Sequence, residues 1–425
     1  MLTLYMSTLR RANRNVRLYL LSVALLGFTA SGGIQPVLLN LYLLRLGHGL
    51  DFVGLFNATG GLGFALFSLL ASVMCRHWGH RRMLIWGLGL IIASAVLLPL
   101  AEFVPAGWQK AALLFTRVPT SLGFGLFFVS TNPFLMSSTT VRERTHVFSV
   151  QTALWPLAGF FGSLAGGFLP GFFAAIANIP LDSAAAFRYP LLFGAVLMAP
   201  SLLAMLATRP TDDAEQRPET SGEVRPVPRG PIVFIVLVLL LQTGCLAVVS
   251  TFFNVYLEVD LGVSTALIGV LFAAGQLTSG IATLATPLLS ARWGHARVII
   301  WASMATSLSL LPLVLFAHWG AAGIGYVGVT ALGTMRVPAF MVYQQEMVPR
   351  RWWALMSGVA NMAAGMSYSL ANLSGGYLIP DLGFPALCLL ANGLMVAGTL
   401  IFWAYFRIPR GEYANPVPGG DSGDS

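Results

Sequence analysis

Stretches of twenty or more apolar residues recur along the whole of this 425-residue chain. Each is long enough to cross ~30 Å of hydrocarbon as a helix. A soluble domain cannot hide that many runs, because its surface needs about a quarter to a third of its residues charged. Here charged residues are 9% of the chain, hydrophobic residues are 56%, and mean hydropathy is +0.76. The sequence therefore describes a polytopic membrane protein.

The runs predict twelve helices in two sets. The first set is 16–44, 52–75, 82–104, 109–138, 146–173 and 188–207. The second is 231–257, 264–290, 297–317, 321–347, 353–379 and 383–406. Pro and Gly inside them are tolerated where neighbouring helices supply partners. Residues 208–230 are charged, Pro-rich and poor in large apolar side chains, the composition of a linker. The expected organisation is an N-terminal six-helix bundle over 1–207, a cytoplasmic linker over 208–230, a C-terminal bundle over 231–407 and a disordered cytoplasmic tail over 408–425. The first run is too long for the core of a cleavable signal peptide, so none is expected.

The net charge of +8 does not indicate nucleic-acid binding. Lys110 is the only lysine, and the arginines sit in short clusters between apolar runs. With both termini cytoplasmic, nineteen arginines fall inside and only Arg45, Lys110 and Arg188 fall outside. That asymmetry predicts a multi-pass protein of the cell (inner) membrane in this orientation. Cys75, Cys245 and Cys388 show neither metal nor disulfide spacing and are expected to pack.

The two sets repeat one another. Asn40–Leu43 (N-L-Y-L) matches Asn254–Leu257 (N-V-Y-L), and Gly54 matches Gly269. G-G-F-L-P at Gly166 matches G-G-Y-L-I-P at Gly375. A W-G-H core at Trp78 returns at Trp293, each time between the second and third helix of its set. A duplicated six-helix unit is one architecture of secondary transporters, with the site between the halves near the midplane.

On these motifs the chain resembles the major facilitator superfamily over essentially its whole length. That family's loop between helices two and three reads roughly G-x-x-x-D-R-x-G-R-R. Here Ser72 stands for the first Gly and Arg76 for the Asp, followed by His77, Trp78, Gly79, His80 and Arg81. The second half has Pro287, Ala291, Arg292, Trp293, Gly294, His295 and Ala296 in those places. The resemblance implies an all-α fold of twelve transmembrane helices in two pseudo-symmetric bundles, working by alternating access. It also implies gating loops around Arg76, Gly79, Arg81, Arg292, Gly294 and Arg297. The Asp that latches the family's cytoplasmic side is missing from both halves. A tight turn is expected at Gly79 and Gly294, and the basic loop suits anionic lipid headgroups. H-x-x-H in so basic a loop disfavours a metal.

No motif of an enzyme or a P-loop is present, so neither catalysis nor a cofactor is expected. Ionisable residues within spans are the default functional candidates. Arg117 and Arg336 both stand in R-V-P triplets, in the fourth and tenth helices. Arg336 is the deeper, as either a substrate ligand or a hydrogen-bonding brace; Arg117, a candidate coupling residue, can snorkel outward. Glu346, four residues before Arg350, is either a helical ion pair or a coupling carboxylate. Gln35, Gln242, Gln276, Trp155, Tyr343, Asn361 and Tyr368 are the other candidate substrate contacts, by virtue of polarity within spans. Asn40 and Asn254, as repeat mates, suggest a structural pair. The fifth helix carries G-S-L-A-G-G from Gly162, which reads as close helix packing.

The expected function is secondary transport of a small molecule, with export of an apolar or amphipathic compound foremost. Uptake or exchange of an organic anion on Arg336 is the second reading, and a non-transporting sensor or lipid-handling protein the third. Membrane lipids and a coupling ion, a proton or another, are the expected partners of a monomer.

Overall fold

The computed structural model describes residues 13–30, 32–139, 141–209, 229–348 and 352–406. Most of the expected linker and all of the tail lie outside these residues. The first six spans are α1 (Arg14–Thr29) with α2 (Ile34–Arg45), α3 (Leu50–Trp78), α4 (His80–Leu100), α5 (Ala106–Ser138), α6 (Val141–Ala177) and α7 (Ala184–Leu206). The last six are α8 (Arg229–Val255), α9 (Thr265–Trp293), α10 (His295–Ser309) with α11 (Leu311–Leu315), α12 (Trp319–Glu346), α13 (Trp353–Leu382) and α14 (Phe384–Phe406). Among the described residues, ten stretches are long and apolar enough to cross a membrane. Helices α12 and α13, of 28 and 30 residues, complete the twelve. Polar residues such as Arg336, Gln344, Asn361 and Asn372 make these two less apolar.

Two expected continuous helices are broken. The first span stops at Thr29 and resumes at Ile34, with Gly32 at φ +106°. Helix α6 packs into this break. A Cβ on Gly162 would collide with the Phe28 carbonyl, and Ser163 donates its hydroxyl to the Gly32 carbonyl. Gly166 lies against Ile34, and Gly167 lies against Gly269 of α9. Three glycines and the serine of G-S-L-A-G-G thus seat one broken helix and one helix of the other half. The ninth span bends at Leu310, where Pro312 at the start of α11 removes a donor.

Hydroxyls are settled locally. Ser22, Thr29, Thr131, Thr306 and Thr399 each donate to the carbonyl four residues back, which spares a free polar group in an apolar layer. Asn15 closes the first half by pairing both ways with the main chain of Arg209.

The repeated W-G-H cores are corners of one residue. Helix α3 ends at Trp78 and α4 begins at His80; α9 ends at Trp293 and α10 begins at His295. Gly79 (φ 78°, ψ 149°) and Gly294 (φ 80°, ψ 154°) adopt the same glycine-only conformation. These corners lie at the arginine-rich end of the bundle, with Thr208, Arg229 and Phe406.

Candidate substrate cavity and gates

The halves meet at the end opposite the arginine-rich corners. Asn40 donates its amide to the Thr251 carbonyl across the interface. Asn254 donates to the carbonyls of Val37 and Pro36, at 3.0 and 3.2 Å. Gly54 of α3 crosses Gly376 of α13, and a Cβ on Gly54 would stand 2.7 Å from the Gly376 Cα. Gly269 of α9 crosses Gly167 of α6 in the same way, at 2.5 Å. Both crossings are built from repeat-related glycines. Beyond them Arg45 pairs with Glu258 of the other half, and Asp182 lies 3.7 Å from Arg45. Ser369 adds a bond to the Ala58 carbonyl.

Toward the arginine-rich end, no hydrogen bond or ion pair joins the halves among the described residues. Asn132 and Asn361 are exposed there, about 9 and 12 Å in from the ends of α5 and α13. Amides at that depth belong in water, not lipid. The hydrogen bonds and the ion pair described between the halves thus gather at one end, while Leu69 and Gly358 still meet toward the other.

A cavity of about 440 Å³ is walled by Phe64, Phe124, Phe128, Ser121 and Arg117 of the first bundle, with Tyr368 of the second bundle facing them. Trp155 packs on Phe128 at 5.6 Å between ring centres. Tyr368 bonds Ser250 at 2.6 Å. Arg117 does not snorkel outward as expected. Its Nε donates to the Phe56 carbonyl at 3.2 Å, and its guanidinium lies 4.4 Å from the centre of the Phe56 ring. The partners that an inserted arginine needs are thus inside the bundle. No carboxylate pairs with it among the described residues.

Arg117 also begins a relay. Its terminal nitrogen reaches Asn57 Oδ1 at 3.4 Å, and Asn57 donates to Asn40 Oδ1 at 2.9 Å. Asn40 then donates across the interface to Thr251. A group in the cavity wall is connected in three steps to the seal.

The other candidates divide. Gln276 lies beside Gly32 and Gly159, across the interface from its own helix, and Gln35 is half-buried just past the helix break. Arg336, Gln242 and Tyr343 do not line the cavity. Arg336 is buried within the second bundle, donating to Gln242 Oε1 at 2.6 Å, and Gln242 donates to Thr399 at 3.1 Å. Tyr343 packs edge-on against Phe402, 5.1 Å away. The face that Arg336 occupies was not legible from its spacing. Glu346 lies 3.9 Å from His295, in the second corner. Its expected partner Arg350 lies outside the described residues, as does the side chain of Arg76. Arg81 donates to Thr208 at 2.9 Å and to the Leu206 carbonyl at 2.9 Å, fastening α4 to the end of α7.

The Arg45–Glu258 pair escaped the sequence reading. The signal was present, since opposite charges trail the two matched N-x-Y-L segments.

Two related bundles with a cavity between them and a seal at one end are the build of a membrane carrier. The chain belongs to the Major Facilitator Superfamily, whose profile matches residues 20–363. It is thus a multi-pass membrane transporter and not an enzyme. A search of the curated proteins gives no match. Among solved structures it is similar to a point mutant of the nucleoside transporter NupG, with TM-score 0.72 and 15% identity over 93% of this chain and 100% of that one. It is also similar to a bacterial homologue of the iron transporter ferroportin in an inward-facing state, with TM-score 0.68 and 16% identity over 92% and 98% of the two chains. At such identities the likeness concerns the fold.

Proposed function

We propose that the chain is a secondary transporter exporting an amphipathic organic compound that carries an anionic or acceptor-rich group. The observation that supports this is Arg117, a guanidinium without a carboxylate partner among the described residues, in a wall of Phe64, Phe124 and Phe128. An aromatic wall takes the apolar part of such a compound, and the spare N–H groups of the arginine take its acceptor. The positive-inside rule puts the arginine-rich end in the cytoplasm of a cell (inner) membrane. Loading from that end and release past the Asn40–Asn254 seal would be the working cycle of an exporter.

The same geometry gives a release mechanism. A ligand that pulls on Arg117 competes with Asn57 for it. Asn57 and Asn40 can then rearrange, and the Asn40–Thr251 bond of the outer seal weakens. Binding in the cavity thereby favours the alternative conformation through differential contacts, as any ligand-driven switch requires.

The test is a thermal-shift screen of the detergent-purified chain beside Arg117→Gln, with aromatic carboxylates, lipophilic cations and neutral amphiphiles. Ligand at 100 times its dissociation constant adds about 2.7 kcal/mol to stability. Aromatic anions should stabilise the wild type and not the variant. Equal stabilisation of both proteins by lipophilic cations would discard the anion reading. Hits then go to flux measurements in liposomes, where a compound that binds without crossing would make this a sensor.

A further inference from the structure

The larger of the two cavities described is not between the halves. It is a groove of about 730 Å³ on the outer face of the second bundle, between α10 and α14. Trp301, Met304 and Ser307 form one side, and Val396, Leu400 and Trp403 the other. Arg297 stands at its mouth, exposed, with no ion pair among the described residues.

We propose that this groove binds one acyl chain of an anionic phospholipid, whose phosphate sits on Arg297. The dimensions support a single leaflet. Arg297 to Ser307 is ten residues, and Phe406 to Val396 is ten, so each wall runs about 15 Å. That is half of the ~30 Å hydrocarbon layer. The charge lies only at the end where a headgroup would be. Midway along the floor the Ser303 hydroxyl is fully buried and finds no partner among the described residues.

Comparison with the first bundle shows why the groove opens in the second. In the first, Arg81 ties α4 to the end of α7 through Leu206 and Thr208. Its counterpart in the second bundle, at the offset of the W-G-H cores, is Ala296, which cannot make the tie. Helices α10 and α14 are left without that fastening, and the next residue is Arg297. The floor also reaches the buried charge: Thr399 lines the groove and accepts from Gln242, which holds Arg336. A chain in this groove therefore braces the second bundle at its buried intramembrane cation.

Native mass spectrometry of the full chain, exchanged into phosphatidylglycerol or phosphatidylcholine, tests this. Wild type should retain phosphatidylglycerol about fivefold over phosphatidylcholine, the effect of one basic residue at an anionic headgroup. Arg297→Gln should lose the preference but keep lipid. Val396→Trp, at a lipid-exposed position, should lose retention of both. Arg82→Gln, in the corresponding place of the first half, should behave as wild type, and glycerol phosphate without chains should not bind. If Arg82→Gln erases the preference as fully as Arg297→Gln, or Val396→Trp retains lipid normally, the groove is not the site. If glycerol phosphate alone competes, the ligand is a soluble phosphate and the proposal falls.

Discussion

Asn40 and Asn254 hold equivalent places in the two halves, and each donates its amide to the main-chain carbonyl three residues before the other. The seal is thus two copies of one interaction, related by the pseudo-symmetry of the fold. Replacing either asparagine removes its side-chain bond across the interface. Each bond adds about 0.5–1.5 kcal/mol net, and more is lost when one partner is left buried alone.

It follows that Asn40→Ala and Asn254→Ala each shift the protein toward opening at the sealed end, by roughly tenfold in population. Spin labels on Trp108→Cys and Trp319→Cys, both exposed at that end, report the distance. The native cysteines are buried and should stay unlabelled. A distance distribution unchanged in both variants would show that the asparagines do not hold the seal.

The glycine crossings make a steric prediction. Gly269→Ala sets a methyl against main-chain atoms of Gly167 and Ser163, which cannot swing aside as a side chain could. The sealed conformation should become at least about tenfold rarer, a change of ~1.4 kcal/mol. Transport should fall while the protein still folds. Gly393→Ala, where a Cβ meets nothing within 4 Å, is the control and should leave transport intact.

The corner glycines carry backbone strain for any other residue. No atom lies within 4 Å of a Cβ built on Gly294, so Gly294→Ala meets no clash. Its conformation alone should destabilise the variant by about 1–3 kcal/mol. The measurement is the thermal midpoint of Gly294→Ala against wild type in the same detergent. An unshifted midpoint would mean the corner relaxes freely.

The two arginines should separate in experiment. Arg336→Gln removes a charged hydrogen bond inside a bundle and should lower stability by roughly 1.5–3 kcal/mol, with ligand shifts preserved. Arg117→Gln should keep most of the stability and lose the ligand shift. A reversal of these outcomes would return the binding role to Arg336.

Much of this molecule was legible because lipid imposes strict lengths and duplication marks equivalent places. The twelve spans follow from apolar runs, and Asn40, Asn254, Gly54, Gly269 and the W-G-H corners from internal matching. What could not be read was the rotation of a helix about its own axis. Arg117 and Arg336 share one triplet, yet one faces the cavity and the other a bundle interior, because Asn57 and the Phe56 carbonyl await the first and Gln242 the second. The break in the first span was hidden for a related reason. Gly32 and Gly33 signal a weak point, but only the carbonyls met by Gly162 and Ser163 fix it as a break.

A junction of one residue leaves no slack. Helices α3 and α4, and likewise α9 and α10, are each joined through a single glycine held in one conformation. Neither pair can slide along its partner or splay without bending that glycine. The crossing at Gly54 or Gly269 lies at the opposite end of its helix from that corner, so a small tilt at the seal becomes a wide swing at the far end of the bundle.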